Sequence, residues 1–239
     1  PHPMPPNRLP FALLATLLAL VAVAVGVTLL SGRPTPPAPA KGTTVARIDL
    51  PSAKAPADFA SGSVRFIGNA TVLIRYGGLT LLTDPNFLHA GDHVHLGYGL
   101  TAKRLKDPAM DIGALPPLDL VMLSHMHGDH FDRVAQEKLD KDLPIVTTGH
   151  GAATLRTFGF RRPTALAHWQ IASLRKGEAT LDITAMPGEH GPGPTTHLLP
   201  DMNGHLLAFG RQGQAEPLYR IYISGDTLVH EAMKDIPKR

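Results

Sequence analysis

Cysteine is absent from this chain of 239 residues. That absence excludes disulfides, thiolate metal sites, cysteine nucleophiles and a lipidated N-terminal cysteine, while leaving the redox compartment open. A strong charge of one sign is also missing, since 23 Lys and Arg against 20 Asp and Glu leave a net charge of +3. There is no arginine-rich run and no basic stripe interleaved with aromatics, so nucleic acid is not an expected partner. No internal repeat of fixed period occurs. A hydrophobic share of 43% is ordinary for a globular protein and argues against wholesale disorder. Histidine, in contrast, occurs 13 times. Imidazole is the commonest transition-metal ligand and titrates near neutrality, so the search for chemistry starts there.

The first 60 residues differ from the rest. A short tail, 1–8, precedes a charge-free run from Leu9 to Leu30. At 1.5 Å per residue such a run can cross a hydrocarbon core of about 30 Å. A single-pass transmembrane anchor is therefore expected at 9–30, with the domain beyond it outside the cytoplasm. A cleaved signal is the alternative, but its apolar core is usually only about 7–15 residues. Residues 31–60 read as a linker, because their prolines block helix and favour extended chain. From Ser61 onward, short β-type runs alternate with turn signals. Strands are expected at 64–67, 71–75, 79–82, 118–123, 145–148, 180–185, 206–209 and 218–223, with helices at 132–139, 152–158 and 228–234. Hairpins followed by alternating strands and helices imply a layered α/β or α+β domain over 61–239.

The chemistry concentrates in LDLVMLSHMHGDHFD, residues 118–132. An apolar strand ends at Leu123, and His125, His127, Asp129 and His130 then follow within six positions. Strand ends are where α/β folds place ligand groups. His125 and His127, two apart in extended chain, can point the same way towards one metal ion. Gly128 permits a sharp reversal that turns Asp129 and His130 towards a second ion. A lone histidine is more often solvated or satisfied in a core. Three histidines and an aspartate in this spacing favour a metal.

His-x-His-x-Asp-His after a hydrophobic strand resembles the signature of the metallo-β-lactamase superfamily. The likeness runs from about Ser61 to Arg239. FIGNATVLIRYGGLTLLTDPNF resembles the opening hairpins of the branch that contains the ascorbate-phosphate lactonases and the N-acyl-phosphatidylethanolamine phospholipase D-like proteins. MPGEH, ending at His190, resembles the next ligand station. YISGDT presents Asp226 where the family has its bridging carboxylate. The resemblance implies a four-layer αββα sandwich with the site at one edge. It further implies two divalent ions, the first held by His125, His127 and His190. Asp129, His130 and Asp226 would hold the second, with Asp226 bridging and Asp129 orienting the nucleophile or moving its proton. Nitrogen and oxygen ligands suit Zn²⁺ first, with Mn²⁺ and Fe²⁺ as alternatives. The family also takes a later histidine for the second ion. Only thirteen residues follow Asp226, so the chain is expected to stop short of that ligand, with His230 an unpromising substitute.

The resulting expectation is a membrane-anchored hydrolase in which a metal-activated hydroxide attacks an ester, lactone or phosphodiester bond of a small molecule or lipid. A non-catalytic binding or scaffold protein of the same fold is the alternative. Asp84, at a strand end in LLTDPNF, is a candidate to cap the turn before Pro85 or to hydrogen-bond a ligand histidine. His197 is a candidate for the substrate rim. The loop carrying His89, His93 and His95 is either plain surface or rim, and Trp169 is assigned to packing.

Overall fold

The structure, a computed structural model, describes residues 42–51, 57–97, 99–193 and 199–238. Its backbone is built mainly from strands. The first sheet holds β2 (Gly62–Gly68), β3 (Thr71–Tyr76), β4 (Leu79–Thr83), β7 (Leu120–Met122), β8 (Ile145–Thr147) and β9 (Pro163–Ala165), in that order. β2 to β4 run as antiparallel hairpins, whereas β4, β7, β8 and β9 run parallel. The second sheet has the order β1 (Thr44–Leu50), β10 (Ile171–Lys176), β11 (Ala179–Pro187), β12 (Asn203–Arg211) and β13 (Tyr219–Ile223). A separate hairpin, β5 (His93–Gly97) and β6 (Leu100–Lys103), stands between β4 and β7 in the chain.

The central strands of the first sheet are apolar on both faces, and alternation divides their side chains between two cores. Leu81, Leu120, Met122 and Val146 join Leu181, Ile183, Leu207 and Phe209 of the second sheet in one cluster. Their neighbours Leu82, Val121, Leu123 and Ile145 face the opposite way, packing with Ala135, Leu139, Leu155 and Phe160. Each fully buried Leu or Ile contributes about 1.5–3 kcal/mol. The helices α1 (Arg133–Lys138) and α2 (Gly149–Thr157) supply part of that second core. Each has an N-cap that satisfies an otherwise orphaned amide: Asp132 accepts from the Ala135 N–H, and Thr148 from the Gly151 N–H. On the outer face of the second sheet, Trp169, Met186 and Leu206 pack with Ile236 from the 3-10 helix Glu231–Lys238. The fold is thus a sheet-rich mixed α/β arrangement.

Three sequence expectations change. The anchor at 9–30, and the membrane location drawn from it, are corrected: no helix among the described residues is long and apolar enough to cross a membrane. The longest, α2, has nine residues and spans about 14 Å, under half of a hydrocarbon core. The run Leu9–Leu30 itself lies outside the described residues. Residues 44–50, within the stretch read as linker, form β1, paired in parallel with β10 and burying Ile48. The loop with His93 and His95 is the β5–β6 hairpin.

Candidate metal centre

The site forms where both sheets release their chains at the same end. β7 ends at Met122, and the backbone is steered at once. The Ser124 N–H donates to Asp84 Oδ1 at 2.7 Å. Asp84 follows β4 in a left-handed conformation, φ +35°, fixed by three bonds. Its N–H donates to the Met122 carbonyl, its carbonyl accepts from Thr71 Oγ1, and Oδ1 takes the Ser124 amide. Non-glycine residues rarely adopt this conformation, and here the three hydrogen bonds hold it. The remaining carboxylate oxygen, Oδ2, lies 3.2 Å from His130 Nδ1.

The loop His127–His130 is shaped from outside. His130 and Phe131 donate their N–H groups to the His127 carbonyl, and Gly128 donates to the His95 carbonyl of β5. A Cβ on Gly128 would lie 2.6 Å from that oxygen. Glycine is therefore required here by the close approach of the hairpin backbone, not by a left-handed conformation. Asn86 Nδ2 donates to the Gly128 carbonyl, and Asn69 Nδ2 to the Asp129 carbonyl.

The second sheet brings two more candidates. His190 lies just beyond β11. The amide before it, on Glu189, donates to Thr227 Oγ1, while Leu228 N–H donates to the Glu189 carbonyl. Asp226 follows Gly225, whose φ of +59° and lack of a Cβ let the loop press on Ser124.

Five of the six expected ligands converge closely. His125 Nε2 lies 3.1 Å from His127 Nδ1, and His190 Nε2 lies 2.9 Å from the same atom. His130 Nε2 lies 3.1 Å from Asp226 Oδ2. His125, His127 and His190 form one group of converging donor atoms; His125, His130 and Asp226 form another. Asp129 sits at the margin, with Oδ2 3.9 Å from His130 Nε2 and Oδ1 buried without a hydrogen bond. His230 lies against Glu189 and belongs to neither group. His89 pairs with Asp107 and Asp111 on the surface. His197 lies outside the described residues. Ser124, Asn69, Asn86, Thr227 and the His95 backbone were not singled out from the sequence. Ser124 alone carried a local signal, as a hydroxyl directly before the first histidine.

The electrostatics fit a cation. Burial, then the neighbouring His130, His190 and His127, press the His125 pKa down to about 2, so its ring is neutral. Burial and His190 lower His127 too. For His130 burial also works downward, but hydrogen bonds to Asp226 and Asp84 outweigh it and raise the pKa to about 10. The bond from His130 holds Asp226 at about 2. The neutral ring of His125, the lowered His127, the ionised Asp226 carboxylate and the orphaned Asp129 oxygen belong to a donor set that suits Zn²⁺ or another divalent ion.

Two sheets that bring two histidine-containing donor groups together at one end define the class of fold and site. The beta-lactamase superfamily domain matches residues 63–232, and the chain belongs to that family. It is 25% identical over 176 residues to the UPF0173 protein YddR of Bacillus subtilis, covering 71% of this chain and 64% of that protein. It is 29% identical over 130 residues to the mitochondrial N-acyl-phosphatidylethanolamine-hydrolyzing phospholipase D of Saccharomyces cerevisiae, covering 54% of this chain but 27% of the relative. Among solved structures it resembles the isothiocyanate hydrolase from Delia radicum gut bacteria, with TM-score 0.57 and 26% identity over 73% of this chain and 67% of that one.

Proposed function

We propose that this chain carries the core of a metal-dependent hydrolase that opens an ester-type bond in a carboxylic ester, a lactone or a phosphodiester of a small molecule or lipid. The observation that carries the reading is the convergence of His125 Nε2 and His190 Nε2 on His127 Nδ1, at 3.1 and 2.9 Å, beside the His130–Asp226 contact. His125, His127 and His190 would hold one ion; Asp129, His130 and Asp226 would hold a second, with Asp226 shared. Zn²⁺, Mn²⁺ or Fe²⁺ bound there supplies Lewis acidity, which makes water nucleophilic near neutral pH and offsets charge developing on the substrate.

The remaining roles belong to the chain itself. Asp129, with its orphaned oxygen, accepts the proton of the attacking water and returns it to the leaving oxygen. Asp226, whose side chain is 43% exposed, marks the side from which substrate enters. His125 stays neutral because burial denies it a proton, and so keeps its lone pair available. An ester-type bond is favoured over a β-lactam by the likeness to phospholipases D that hydrolyse N-acyl-phosphatidylethanolamine. The same reading takes the fold as a four-layer αββα sandwich, supported by Ile236 packing on Trp169, Met186 and Leu206.

The test is turnover of bis-p-nitrophenyl phosphate and p-nitrophenyl acetate by the full chain, with and without chelator. Turnover abolished by EDTA and restored by added Zn²⁺, Mn²⁺ or Fe²⁺ is expected. No turnover of either ester by a chain that holds two ions would replace the enzyme with a non-catalytic binding protein of this fold.

A further inference from the structure

We infer that Ser124 is a positioning residue shared by both halves of the metal centre, its single hydroxyl fixing Nε2 as the liganding atom of His125 and of His130. The inference rests on the two-ion reading above. Ser124 is buried, and its Oγ lies 2.9 Å from His125 Nδ1 and 3.3 Å from His130 Nδ1. In both rings the other nitrogen faces the donor cluster: His125 Nε2 approaches His127, and His130 Nε2 approaches Asp226.

A histidine that offers its lone pair at Nε2 carries its proton at Nδ1, and that N–H needs an acceptor. A hydroxyl oxygen has two lone pairs and can accept from two donors. The two rings are not served equally. His130 has a second acceptor in Asp84 Oδ2. Among the described residues, His125 Nδ1 has a hydrogen bond only with Ser124 Oγ.

The hydroxyl is itself delivered by three segments distant in sequence. Asp84 accepts the Ser124 N–H, and Asn203 N–H donates to the Ser124 carbonyl at 3.0 Å. On the third side is Gly225, where a Cβ would come within 2.9 Å of Ser124 Cβ. A residue pinned at its amide, its carbonyl and its Cβ has little freedom to aim its side chain elsewhere. Ser124 therefore does for two imidazoles, one from each donor group, what a carboxylate partner commonly does for one.

Zinc titration of the full chain against a competing chromophoric chelator tests this, with the electronic spectrum of bound Co²⁺ as a second readout. Wild type is expected to take up two ions. Ser124→Ala is expected to weaken both steps by roughly tenfold or more, and to alter the Co²⁺ spectrum at both. Asp84→Asn keeps the acceptor for the Ser124 amide and loses only the partner of His130, so it should weaken one step. If Ser124→Ala fails to fold, Ser124→Cys, similar in volume but a weaker acceptor, is read the same way. Two steps within twofold of wild type, or a loss confined to one step, would overturn the shared role. A wild-type chain that takes up fewer than two zinc ions would instead overturn the two-ion reading on which it stands.

Discussion

At the scale of single residues, the candidate ligands differ in what a metal must displace from them. His125 is neutral well into the acid range, with a pKa near 2, whereas His130 holds a proton up to a pKa near 10. An ion entering between His130 and Asp226 must therefore expel one proton at any pH below 10. Affinity at that step should fall about tenfold for each pH unit lost. The other step should vary less steeply, because burial holds His125 and His127 below the ordinary histidine pKa. Zinc titrations at pH 6.5, 7.5 and 8.5 check this, and two parallel slopes would contradict it. His127→Ala removes the nitrogen on which two others converge. It should cost one bound ion, measured by elemental analysis, and lower ester turnover by roughly a hundredfold or more. These candidates were legible in the sequence because their types are chemically restrictive and four of them sit within six positions. Ser124 was not singled out, because its importance comes from Asp84, Asn203 and Gly225, which reach it only through the fold.

At the scale of elements, the β5–β6 hairpin meets the ligand loop through its backbone, the His95 carbonyl accepting from the Gly128 N–H. Gly128→Ala would place a Cβ 2.6 Å from the His95 carbonyl oxygen and 3.0 Å from its nitrogen, and neither atom is on a flexible side chain. The hairpin or the ligand loop must move. A loss of about 1–3 kcal/mol in unfolding free energy is expected, together with weaker zinc binding. An unchanged denaturation midpoint would show that the contact yields freely. The hairpin reads as loop, since His93 and His95 are exposed and, among the residues of its first strand whose burial is described, Val94 alone is buried. β1 escaped notice for a related reason. Residues 44–50 are mostly exposed and lie among prolines, so their pairing is fixed by β10 and not by their own pattern. A fragment beginning at Ser61 should therefore melt at a lower temperature than one beginning at Gly42, because it loses Ile48 from the core and uncovers the β10 edge. Equal melting temperatures would demote β1 to an ornament. β3 and β4, in contrast, were legible to within a residue, because continuous apolar runs between glycine turns leave few alternatives; β9 has three residues and no such run, and was not read as a strand.

At the scale of the whole molecule, the candidate ligands are supplied by both sheets: His125, His127, Asp129 and His130 from the first, His190 and Asp226 from the second. Ions that bind only this folded arrangement stabilise it in proportion to the logarithm of their concentration. Free zinc at about a thousand times the dissociation constant adds about 4 kcal/mol. For a chain of this size that corresponds to a rise of roughly 10 °C in melting temperature. Calorimetry with zinc and with EDTA measures the difference directly, and overlapping transitions would mean that the ions contribute nothing to holding the fold.

The division of ligands across the seam has a mechanical consequence. Pulling the two sheets apart must separate His190 from His127 and Asp226 from His130 before either sheet need lose its own strand pairing. An ion held there is a rivet between two plates. Its release under load would time the opening of the seam, so a fluorescent zinc indicator could follow in one molecule the moment the plates part.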